Sequence, residues 1–127
     1  MAVIFAGDLV ALGKDVLRVE AEAVLSASSK LGDDFARATE LVLSCIGRVV
    51  VTGVGKSGHV GRKIAATLAS TGTPAFFVHA GEAGHGDLGM ITQGDVLVAL
   101  SNSGETDEVI DFVSFARRFG AKVIGIT

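Results

Sequence analysis

The chain has 127 residues, 49% hydrophobic and 20% charged, which is enough apolar surface for one core but short for a complete α/β enzyme. Its formal net charge is -3 with the basic residues scattered, which disfavours nucleic-acid partners and a polybasic membrane patch. The lone Cys45 can form neither an internal disulfide nor a cysteine-rich zinc site; Met1 to Val10 has no basic lead and meets Asp8 early, so no signal peptide or membrane span is read and a cytoplasmic protein is expected.

Leu9, Leu12, Val16, Val19 and Ala23 recur in steps of three and four, the spacing of an amphipathic helix. Ser28, Ser29 and Gly32 interrupt it, and Phe35, Ala38, Val42 and Cys45 resume the spacing in a second helix. Val49-Val50-Val51-Thr52 then reads as a strand buried on both faces. A glycine-rich turn leads into a helix marked by Val60, Ile64, Leu68 and Thr71, which Gly72 and Pro74 end before a strand from Ala75 to His79. A glycine-rich loop, Ala80 to Gly89, precedes a third strand, Asp95 to Leu100. A helix through Val109, Phe112, Val113 and Ala116 follows, capped at Gly120, and Lys122 to Ile126 reads as a fourth strand.

Strands alternating with single helices predict an α/β fold: a three-layer αβα sandwich around a parallel sheet, with the ligand site at the carboxyl ends of the strands. Residues 1–46 form the helical lead-in and 47–127 the βαβ units of a single domain, 1–127. The stop after the fourth strand adds the expectation that this domain is incomplete at its carboxyl end.

Gly53-Val54-Gly55-Lys56-Ser57-Gly58 has dinucleotide-fingerprint spacing, but the next strand ends in Val78-His79 rather than in the acidic residue that would hold a ribose. As a P-loop it fails too, because Val50 stands where the first glycine belongs. What remains is an anion site in which backbone amides at Gly55 and Ser57 act with the Lys56 cation. Ser101-Asn102-Ser103-Gly104-Glu105-Thr106 offers hydroxyls and amides at a helix start, the makings of a phosphate cradle. Ordinary capping by Ser101 or Ser103 is the plainer reading and accounts for one hydroxyl, not three. A carboxylate beside a phosphate needs another task, and Glu105 suits proton transfer between adjacent carbons. Glu82-Ala83-Gly84-His85-Gly86-Asp87 places three ionisable side chains in a loop able to close over a ligand, with His85 the candidate to act. His59, His79 and His85 lack zinc-motif spacing, so no metal is assigned.

Four motifs in order, Gly53 to His59, Ser70 to Pro74, Glu82 to Met90 and Ser101 to Glu105, closely resemble the KdsD, KpsF and GutQ group of arabinose-5-phosphate isomerases. The resemblance runs from about Gly47 to Thr127 and implies a SIS (flavodoxin-like) fold with a five-stranded parallel sheet. It also implies interconversion of D-ribulose 5-phosphate and D-arabinose 5-phosphate for 3-deoxy-D-manno-octulosonate and lipopolysaccharide synthesis. On the matching positions Lys56, His85 and Glu105 are catalytic. Gly55, Ser57, Ser101, Asn102, Ser103, Gly104 and Thr106 bind substrate and phosphate. No cofactor is required, the partner is a sugar phosphate, and a homo-oligomer (dimer or tetramer) is expected. A further catalytic glutamate and histidine, and the paired CBS modules usual in the group, would lie beyond Thr127. The alternative is a non-catalytic SIS module that binds a phosphosugar for regulation.

Overall fold

Branched side chains suit a pleated strand, and Val49–Gly53 forms β1 with every residue buried. The computed structural model describes residues 6–83 and 86–127. In chain order these give α1 (Ala6–Ser29), α2 (Asp33–Leu43), β1, α3 (Gly55–Ser70), β2 (Ala75–His79), α4 (Ala80–Ala83), a 3-10 turn (Asp87–Met90), β3 (Val96–Leu100), α5 (Asp107–Arg118) and β4 (Lys122–Ile126).

The described residues up to Ala36 form one compact unit and Arg37–Thr127 another. In the first, Arg18 lies between Asp15 at 3.1 Å and Glu22 at 3.4 Å, exposed pairs of small energetic weight. The expected apolar stripe of α1 is present as a helix but not as a buried face: Leu9, Leu12, Val16 and Val19 are all exposed.

The second unit holds a parallel sheet in the order β2-β1-β3-β4, with Val49 paired to Ala75 on one side and to Val96 on the other, and Val96 paired in turn to Lys122. The described residues thus supply four strands, as the alternation predicts, where the resemblance implies five. Strand alternation sends Val49, Val51, Val98 and Leu100 to one face, where Ala65 of α3 packs with Val42, Cys45 and Phe77. Val50, Val78, Leu97 and Ala99 go to the other, against Val109, Phe112 and Ala116 of α5 and Ala80 and Ala83 of α4. Helices on both faces make the three layers.

Two boundaries differ from the sequence reading. Cys45 lies beyond the end of α2, half-buried, with its thiol 3.5 Å from the Gly94 carbonyl. Asp95 precedes β3 rather than opening it, and is 2% exposed. Its carboxylate accepts the backbone N–H of Arg48 and of Thr92, each at 2.8 Å, and stands 3.8 Å from the Arg48 guanidinium. That guanidinium donates to the Met90 carbonyl at 2.8 Å and covers the Phe76 ring at 4.6 Å. This knot ties the amino ends of β1 and β3, the edge opposite the glycine-rich turns.

Glycine lets α3 lie close on the sheet. A Cβ on Gly61 would sit 3.0 and 3.2 Å from the Phe77 ring and 3.3 Å from Val51, and the far side of that ring cannot yield freely because Arg62 stacks on it at 4.4 Å. Alanine gains about 1 kcal/mol of helix propensity over glycine, but crowding a packed interface costs about 1–3 kcal/mol. Gly61→Ala is therefore expected to lower the urea midpoint, whereas Gly13→Ala in α1, where a Cβ meets nothing within 4 Å, should not lower it. Circular dichroism on both variants checks the contrast.

Candidate functional site

The switch in chain direction lies between β1 and β3: the chain leaves β1 for β2 on one side and β3 for β4 on the other. In a parallel sheet that seam opens a crevice at the carboxyl ends of the two central strands. Gly53 ends β1 there, and a Cβ on it would lie 3.1 Å from Ser57 backbone, 3.2 Å from the Gly58 nitrogen and 3.2 Å from the Leu100 carbonyl oxygen. Backbone from β1, α3 and β3 converges at this residue, which is why a side chain has no room.

The turn then enters α3 through Val54 and Gly55, the latter at φ +56°. Valine offers no acceptor, so no side chain caps the first turn of α3, and its leading amides stay available to an anion. Lys56 is exposed beside them, Ser57 is half-buried and His59 is exposed.

The matching turn after β3 is built differently. Ser101 is 7% exposed, and its hydroxyl lies 2.9 Å from the Thr106 hydroxyl while accepting the Gly104 N–H at 3.0 Å. Gly104 sits at φ +72°, which lets the loop turn back, and the Ser103 hydroxyl accepts the Glu105 N–H at 3.1 Å. The backbone N–H of Ser101 is held by the Ile126 carbonyl at 3.0 Å. Thr106 is the residue that precedes α5, and its hydroxyl is turned to Ser101 rather than to the helix, so the first turn of α5 also lacks a side-chain cap. Capping by Ser101 or Ser103, the plainer reading of this segment, does not occur. Asn102, Ser103, Gly104 and Glu105 are exposed. Asp107 and Glu108 occupy the first turn of α5, so Glu108 is a second carboxylate at this helix start, where sequence reasoning finds in it only a complement to the helix dipole.

β2 ends beside Gly53 at His79, whose Nδ1 accepts the N–H of Gly81 at 3.1 Å. Glu82 is exposed, and His85, the third catalytic candidate, lies outside the described residues. Among the described residues no three His, Cys, Asp or Glu side chains gather to hold a metal ion, and no helix is long and apolar enough to cross a membrane. A concavity lined by Val113, Arg117, Gly120, Ala121, Lys122 and Val123 lies at the amino end of β4, remote from these turns.

Lys56 and Ser57 thus spring from β1, and Ser101 to Thr106 from the neighbouring β3. Two helix starts without side-chain caps side by side, one with a lysine and one with three hydroxyls, can hold a dianion against the backbone. The family profile for the SIS domain matches residues 42–127. The chain belongs to the SIS domain family. Over 120 residues, 94% of this chain, it is 54% identical to the arabinose 5-phosphate isomerase KdsD of Pseudomonas aeruginosa, and spans 37% of that protein's length. Its fold matches that of the Escherichia coli CFT073 protein c3406, solved in complex with a sugar phosphate, with a TM-score of 0.90 and 44% identity over 96% of this chain and 65% of that one. The Vibrio vulnificus NanR protein, complexed with ManNAc-6P, matches with a TM-score of 0.72 and 27% identity over 94% of this chain and 47% of its own. The SIS assignment agrees with the family read from the glycine-rich and serine-rich motifs.

Proposed function

We propose that this SIS domain is the phosphosugar-binding part of an arabinose-5-phosphate isomerase. The observation that supports it most is the 54% identity to the Pseudomonas KdsD across 94% of the chain. The open amino ends of α3 and α5 on adjacent strands agree with it physically.

In this reading the phosphate lies against Ser101, Ser103 and Thr106, with Ser57 and the backbone at Gly55, Asn102 and Gly104 completing its shell. Glu105 removes the proton from the carbon next to the aldehyde of D-arabinose 5-phosphate and returns one to the former aldehyde carbon, passing through an enediol to D-ribulose 5-phosphate. Lys56 stabilises the negative charge that develops on the oxygens, and His85 opens the ring or carries the proton between the oxygens. Electrons move within one substrate, so the chemistry needs no redox partner. The reaction would supply 3-deoxy-D-manno-octulosonate synthesis in a bacterial cytoplasm, with the protein acting as a homo-oligomer and residues 1–127 forming part of a single SIS domain.

Proton transfer by a positioned side chain is worth about 10²–10⁴-fold in rate. Incubation with D-arabinose 5-phosphate in deuterated water should yield ribulose 5-phosphate deuterated at the exchanged carbon, and Glu105→Gln should cut that rate by about 10²–10⁴-fold. A loss of that size in Glu108→Gln, with Glu105→Gln unaffected, would transfer the base to the first turn of α5. Because the chain spans 37% of the Pseudomonas enzyme, a second reading is a module that binds the phosphosugar without turning it over. Amide shifts at Lys56 and Ser101 to Thr106 on adding the sugar phosphate, with no deuterium incorporated, would favour it.

A further inference from the structure

The three helices that leave the carboxyl ends of β1, β2 and β3 differ in one respect. α3 and α5 lack side-chain caps, whereas the turn after β2 has one: His79 immediately precedes α4, and its Nδ1 accepts the N–H of Gly81, two residues on. A helix of four residues is far below the length that holds itself together, so an added hydrogen bond at its start weighs heavily. The other anchors of α4 are Ala80 and Ala83, both buried in the core beneath α5. Gly81 belongs to the same device, since a Cβ there would stand 3.3 Å from both Cε1 and Nδ1 of the imidazole. A ring nitrogen that accepts an N–H carries no proton, so in this geometry the neutral ring keeps its proton on Nε2. His79 is also the register partner of Gly53, so the capped turn is one strand removed from Lys56.

We propose that His79 is a positioning residue. Its imidazole clamps the start of the segment that runs from Ala80 towards Met90, so that Glu82 and the sequence leading to His85 leave β2 from a fixed point beside the phosphosugar site. The role at a ligand rests on the function proposed above; the clamp itself rests on the His79 to Gly81 bond and the buried alanines.

The test uses two kinds of isostere. In His79→Asn the side-chain oxygen takes the place of Nδ1 and keeps the acceptor, while in His79→Gln the amide reaches towards the Nε2 position and His79→Leu keeps neither. NMR of the imidazole nitrogens should find the Nε2–H tautomer. Hydrogen exchange at the Gly81 amide should quicken roughly fivefold in the Leu and Gln variants, the change expected on losing a side-chain cap, and stay near the wild-type rate in Asn. Titration with D-arabinose 5-phosphate should show weaker affinity in Leu and Gln, and affinity close to wild type in Asn. A proton on Nδ1, or Gly81 exchange indifferent to all the substitutions, overturns the clamp. Affinity lost in Asn and restored in Gln overturns positioning, because the ring would then meet the ligand through Nε2. If the unaltered chain binds no phosphosugar, the proposed function fails, and the tautomer and the Gly81 exchange rates still decide the clamp.

Discussion

Lys56→Met is expected to weaken binding of D-arabinose 5-phosphate by about 10- to 100-fold, the range for a hydrogen bond to a charged group. The lysine is the sole side-chain cation in the Gly53 to His59 turn other than histidine, and it stands beside first-turn amides that no side chain caps. Those amides act only at contact range, so the cation sets how strongly an incoming dianion is held. Lys63, on the same helix but exposed and bonded to the Thr67 hydroxyl at 3.2 Å, provides the comparison. Calorimetric titration should find Lys63→Met close to wild type. Equal losses in the two variants would reduce the role of Lys56 to the general field of the helix and remove it from the site.

Gly47→Ala should destabilise the fold by about 3 kcal/mol or more, the upper part of the range for overpacking combined with a disturbed buried hydrogen bond. A Cβ there would lie 2.7 Å from both the Gly94 carbonyl carbon and its oxygen, and would run into the Asp95 carboxylate. Neither neighbour can retreat. Gly94 accepts the Gly47 N–H at 2.9 Å, and Asp95 holds the N–H groups of Arg48 and Thr92. Urea unfolding measures the loss, and a double-mutant cycle apportions it. In an Asp95→Ala background the clash with the carboxylate is gone, so the cost of Gly47→Ala should fall; strict additivity would place the whole effect in the backbone contact with Gly94.

Much of the architecture was legible because it is written locally. Val49-Val50-Val51 could only be a buried strand, and Gly72 with Pro74 marked the end of α3. Gly55, Gly104 and Gly120 all take positive φ where a turn was expected. The serine-rich turn was found for what it can bind, but its internal wiring was not. Which hydroxyl precedes α5, and that Thr106 spends its hydroxyl on Ser101, depends on how the loop folds back through Gly104. Asp95 was misplaced as a strand residue for a different reason: its partners at Arg48 and Thr92 form a knot whose purpose appears only once β1 and β3 are neighbours. The cap made by His79 on Gly81 is local, but histidine is not among the usual capping residues, and the residue type alone gave no signal for it.

The strand order also says something about how the molecule comes together. β1 with β2, and β3 with β4, are each joined by a short crossover, whereas β1 meets β3 only by closing the whole stretch from Val49 to Val96. Loop-closure entropy and contact order favour forming the two halves before their union. The crevice with Lys56 on one lip and Ser101 on the other exists only after that union. A ligand held across it therefore acts as a fastener for the last joint to close, and its binding energy adds to the stability of the seam rather than of either half.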